Sequence, residues 1–251
     1  MVDAHCHLND EKFTGGEEEV FRRAREAGVT TMICAGGNLK DSQKAIELAH
    51  NYEGVWATVG MHPEETGEKW SKGVFEKLAE DEKVVAIGET GLDFRADTNE
   101  EEKERQIRLM EEQVKLANMT GLPLVVHNRN ADEEIKAVLE KLQTTAQMHC
   151  FNSGEVLMKW AISKGFFISV GGIVTFKNAE ELRRLAAMIP EERLLIETDA
   201  PYLAPEPVRG SINEPKNVRL VAERMARIRQ TSIDQIEEIT GKNAKKMFGR
   251  L

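Results

Sequence analysis

The chain has little cysteine. Its three, Cys6, Cys34 and Cys150, are an odd number with no C-x-x-C spacing, which speaks against a disulfide framework and for a reducing compartment, the cytoplasm. No apolar run approaches the roughly 20 residues that a spanning helix needs. The N-terminus lacks the basic-then-apolar pattern of a secretion signal, so no membrane role is expected. Positive charge is also in deficit. A net charge of -9 gives the molecule a field that repels polyanions, and any nucleic acid must be gripped locally. The glycine-rich "GGN" (36–38) and "VGGI" (170–173) lack a phosphate-loop pattern, and no basic patch interleaved with aromatics appears. There is no low-complexity tract and no Pro/Ser-rich linker.

What remains is 251 residues, 41% hydrophobic and 31% charged, enough for a sizeable core under a polar surface. Short β-rich runs alternate with longer charged, helix-patterned stretches from one end to the other. Strands are expected at 1–7, 29–36, 54–60, 84–88, 122–127, 145–149, 166–172 and 194–198. Helical stretches such as "GEEEVFRRAREAG", "LKDSQKAIELAHN" and "EEKERQIRLMEEQVKLANMTG" lie between them, the last stopped by Gly121 and Pro123. Eight strands with intervening helices predict an α/β fold, a single (β/α)8 TIM barrel over residues 1–251. A long Pro-rich loop (199–215) follows the eighth strand, and two helices, 215–229 and 232–249, are expected to cover the exterior.

In such a barrel every strand opens onto one face at its C-terminal end. Five of the six histidines fall there: His5 and His7 after strand 1, His62 after strand 3, His127 after strand 5 and His149 after strand 6. Glu89, just past strand 4, and Asp199, just past strand 8, join them. A single histidine at a strand end is ordinarily a hydrogen-bonded core imidazole. This many polar groups packed together are costly unless something binds them. Alternation along strand 1 predicts Asp3, His5 and His7 inward, and Ala4 and Cys6 outward. Asp3 is either the partner of a ligating imidazole's second nitrogen or a satisfied structural acid. The remaining donors exceed what one tetrahedral ion can use, so two divalent metal ions per chain are expected. Glu89 is the natural bridge, with His5, His7 and Asp199 on one ion and His127 and His149 on the other. Two close cations polarise a substrate oxygen and acidify a shared water. They also outweigh the two carboxylates, leaving a positive pocket that welcomes an anion such as a phosphodiester. Imidazole-rich ligation suits zinc, with magnesium or manganese as alternatives.

"DAHCHL", "GMHPE", "IGETGLDF", "PLVVHNR", "HCF", "ETDAPYL", "RGSINEPKNV" and "NAKKMFG", in this order from near residue 1 to near residue 250, resemble the TatD family of metal-dependent deoxyribonucleases in the amidohydrolase superfamily. The resemblance implies a binuclear barrel enzyme that hydrolyses DNA phosphodiester bonds, with single-stranded or frayed ends as substrate. It places His5, His7, Glu89, His127, His149 and Asp199 on metal positions, and Asp199 where the superfamily holds and deprotonates the attacking water. His62 matches a position contacting the scissile phosphate; its other reading is a turn residue before Pro63. Arg129 and Arg209 are candidate phosphate clamps, each with pairing to loop acids as the alternative. Phe94 departs from the aromatic hydroxyl often found after "GLD", and "HCFNSG" departs slightly in spacing. Glu89 stands where other superfamily members carry a carboxylated lysine, which argues against a phosphotriesterase-type centre.

The leading expectation is therefore a deoxyribonuclease acting as a monomer with no stable protein partner. An amide or ester hydrolase at the same centre and a non-catalytic metal-binding protein are the alternatives.

Overall fold

In the computed structural model, which describes residues 1–251, each expected strand window meets a strand, with the fourth and fifth running past their expected ends. The strands are β1 (Val2–Cys6), β2 (Thr31–Cys34), β3 (Val55–Val59), β4 (Val84–Asp93), β5 (Leu124–Arg129), β6 (Ala146–Met148), β7 (Phe167–Val170) and β8 (Leu194–Ile196). They pair in parallel in sequence order as one eight-stranded sheet. The ring closes where the chain leaving β8 meets β1: Asp199 N–H donates to the His5 carbonyl at 3.0 Å and His7 N–H to the Ala200 carbonyl at 2.6 Å.

The outer layer comprises α1 (Glu17–Glu26), α2 (Leu39–Asn51), α3 (Lys72–Ala79), α4 (Glu100–Thr120), α5 (Asp132–Leu139), α6 (Glu155–Ser163), α7 (Glu180–Met188), α8 (Val218–Arg229) and α9 (Ile233–Phe248). Their ends follow local chemistry. Asn38 and Asn99 cap α2 and α4 by accepting from Asp41 N–H and Glu102 N–H, and a capping box of Ser232 and Gln235 starts α9. Gly121, at φ +72°, ends α4 in the left-handed conformation that glycine adopts freely.

Most apolar side chains lie between strands and helices, including Cys6, Met32, Cys34 and Val126. A smaller inner cluster joins Ala4, Ile33, Val85, Val125, Phe167 and Leu195 to Met247 and Phe248 of α9. This corrects two expectations. The register slips between Asp3 and Cys6, so strict alternation fails and Ala4 packs inward. The last helix does more than cover the exterior: its end plugs the barrel floor, and Asn243 Nδ2 donates to the Leu194 carbonyl at 2.8 Å.

A third correction concerns β4, which runs on to Asp93 and so holds Glu89 within the strand. The glycines of "GETG" permit the extension. Gly91 has φ +146°, and a Cβ there would stand 1.9 Å from the His127 carbonyl oxygen, so only glycine lets β4 and β5 run this close.

Candidate metal centre

The strand exits converge as expected. Glu89, buried on β4, stands between two groups of donors. Its Oε2 lies 3.4 Å from His5 Nε2 and 3.5 Å from His7 Nε2. Asp199 Oδ1 completes that group at 3.7 and 3.4 Å from the same two nitrogens, which are themselves 3.2 Å apart. Glu89 Oε1 faces the other way, 2.9 Å from His149 Nε2 and 3.2 Å from His127 Nδ1, with 3.4 Å between those nitrogens.

These separations fit a cation. Four atoms about 2.0–2.1 Å from a common centre at tetrahedral angles stand about 3.3–3.4 Å from one another. The Nε2 atoms of His5 and His7, 3.2 Å apart, converge with Glu89 Oε2 and Asp199 Oδ1 on one space that a positive ion suits. Burial alone would push Glu89 up, but the imidazoles of His149, His62 and His127 carry it well below the usual carboxylate range. Asp199 is likewise lowered, against its burial, by His7 and the other imidazoles. Both therefore offer ionised oxygens.

Two buried acids orient the second pair of imidazoles, and the sequence reading missed both. Asp93 Oδ2 lies 3.1 Å from His127 Nε2. Glu197, fully buried, has Oε1 3.2 Å from His149 Nδ1 and also accepts from Cys150 N–H at 2.5 Å, while its Oε2 accepts from Gln147 Nε2 at 2.9 Å. A carboxylate on one ring nitrogen fixes the proton there and turns the other nitrogen's lone pair toward the cation side. Asp3 plays no such part. Its oxygens accept from Thr198 N–H at 2.8 Å and Thr198 Oγ1 at 2.5 Å, and His5 Nδ1 is buried without a partner. Of the two readings of Asp3, the structural acid stands.

His62 combines both of its readings. Its Nδ1 accepts from Glu64 N–H at 3.2 Å, capping the turn at Pro63, and its Nε2 lies 3.5 Å from Glu89 Oε1. A neutral imidazole that accepts at Nδ1 carries its proton on Nε2. Burial pushes His62 down to about 4, so it is neutral at pH 7. It faces the centre through Nε2 and, with Glu89 and His127, forms one of the groups able to hold a cation.

The arginines are less engaged. Arg129 is exposed, with Nη1 3.9 Å from Asp93 Oδ1. Arg209 lies with its guanidinium 4.1 Å from the Phe176 ring centroid, and no donor of the centre contacts it. Asp93 and Glu197 also alter the expected charge balance. Four carboxylates around the centre match two divalent ions formally, so any positive excess must come from rim cations. His50, outside the site, pairs with Asp81 at 3.0 Å.

A parallel eight-stranded barrel whose strand exits gather these imidazoles and carboxylates defines a metal-dependent hydrolase of barrel architecture. Residues 2–249 match the family model described as TatD related DNase, and the chain belongs to that family. It is 35% identical to the uncharacterized metal-dependent hydrolase YabD of Bacillus subtilis, over 99% of this chain and 98% of that protein. It is 34% identical to the 3'-5' ssDNA/RNA exonuclease TatD of Erwinia amylovora, over 99% of this chain and all of the relative, 100%. Among solved structures, YJJV, a TatD homolog from Escherichia coli K12, superposes with a TM-score of 0.93 at 30% identity, covering 99% of this chain and 98% of that one.

Proposed function

We propose that the chain is a phosphodiesterase that trims single-stranded or frayed DNA ends, using two divalent cations held on the two sides of Glu89. The observation that carries this reading is the division of labour within one carboxylate: Glu89 Oε2 belongs to the group with His5, His7 and Asp199, and Oε1 to the group with His127 and His149. The name of the Erwinia relative, an exonuclease for ssDNA and RNA, supports a nucleic-acid substrate.

When bound, the cations supply Lewis-acid polarisation of a phosphoryl oxygen and acidify a water. The protein does the rest. Asp199 Oδ1, at the edge of the first group and held by its backbone bond to His5, accepts the proton of the attacking water. Its φ of +57° is a left-handed conformation uncommon for any residue but glycine, of the kind found at functional sites. His62 Nε2–H donates to a non-bridging phosphate oxygen. Asp93 and Glu197 keep His127 and His149 in the ligating tautomers.

Elemental analysis coupled to a nuclease assay tests the proposal. Two equivalents of divalent metal per chain, chelator-sensitive release of nucleotides, and loss of activity by roughly a thousandfold or more in His127→Ala are expected. A fully metallated protein inert on every nucleic acid yet active on N-acyl amino acids or aminoacyl esters would overturn the substrate assignment and leave the centre intact.

A further inference from the structure

The loops after β1 and β8 meet beside the metal centre in an arrangement that the chemistry above does not use. Tyr202 leaves 45% of its surface exposed. Its ring centroid is nevertheless 5.9 Å from that of His7, edge to face at 72°. The hydroxyl donates to Asp10 Oδ2 at 2.6 Å, a bond that ties the β8 loop to the β1 loop and holds the ring still. The ammonium of Lys12 rests 4.4 Å from the ring centroid, so this cation lies on an aromatic face. Val208 and Ile212 of the same long loop are exposed as well. The mouth therefore carries an exposed, tethered aromatic ring with a positive charge on it, on a molecule whose net charge of -9 otherwise turns polyanions away.

We propose that Tyr202 and Lys12 form the subsite for the nucleotide flanking the scissile phosphate. The base stacks on the Tyr202 ring, and Lys12, displaced from that face, pairs with the next phosphate along the strand. The assignment rests on the phosphodiesterase reading above. Three features favour a nucleotide. Every base has a π-face, so a fixed ring accepts any of them. Fixing the ring beforehand through Asp10 lowers the ordering cost of binding. A lysine on a flexible stem is a compact point charge suited to a phosphate whose position varies with sequence. Because the ring adjoins His7, a base seated on it brings its own phosphate to the donors.

The test compares the metallated wild type with Tyr202→Leu, Tyr202→Trp and Lys12→Gln. The substrates are two single-stranded DNA oligonucleotides, identical except that one is abasic at the nucleotide next to the cleaved bond. The wild type is expected to prefer the intact oligonucleotide by about tenfold in kcat/KM, a ratio that falls to about one in Tyr202→Leu, through KM, and persists in Tyr202→Trp. Lys12→Gln is expected to raise KM on both and to flatten its salt dependence. Tyr202→Leu that keeps the preference, or that loses kcat equally on both substrates, overturns the subsite. Wild type that leaves both oligonucleotides uncut sinks the phosphodiesterase reading and the subsite with it, an outcome distinct from cleavage that ignores the base.

Discussion

At the scale of single residues, the centre is defined as much by where protons sit as by where ligands sit. Asp93 and Glu197 each occupy one nitrogen of a candidate ligand imidazole, and the Glu64 amide occupies Nδ1 of His62. Asp93→Asn and Glu197→Gln should each lower metal affinity by roughly ten- to a hundredfold, read by competition with a chelating dye, while the far-ultraviolet circular dichroism stays unchanged. The convergence of the six candidate ligands was legible in the sequence because four histidines and two acids fall at counted strand exits. Asp93 and Glu197 were not legible. Glu197 reads as one more residue of the β8 run, and Asp93 lies beyond the expected end of β4 at residue 88, in what is strand. The slip in β1 likewise hid the inward packing of Ala4, since alternation assumes an unbroken ladder.

At the scale of elements, two junctions carry the architecture. The first is the close passage of β4 along β5 at Gly91. Gly91→Ala forces a Cβ against the His127 carbonyl at a positive φ. It should cost roughly 3 kcal/mol or more in denaturant unfolding and weaken metal binding through His127. The second is the floor, where Phe248, 1% exposed, fills the inner cluster. Phe248→Ala should destabilise by about 3–5 kcal/mol, measured as a shift of the urea midpoint at constant slope. All eight strands were readable from composition and turn signals, but the floor was not. A helix amphipathic enough to lie on a barrel wall carries no local mark that its last turn tucks underneath.

At the scale of the whole molecule, acidity and function pull against each other. With a net charge of -9, binding should draw on only a few rim cations. The logarithm of KM for single-stranded DNA should therefore rise against the logarithm of salt with a slope of only about 1, near one or two phosphate contacts. A steep slope would mean more phosphate contacts than these. No helix is long and apolar enough to cross a membrane.

The donors come from β1, β4, β5, β6 and the exit of β8, from residue 5 to residue 199. A nascent chain lacking its last quarter lacks Asp199, and even the group of Glu89, His127 and His149 exists only once β4, β5 and β6 have paired, so bound ions would latch strands already assembled more than gather them. Added metal should then leave the refolding rate almost untouched and slow unfolding instead, making the pace at which a chelator strips the protein a clock for how often the ring of strands breathes open.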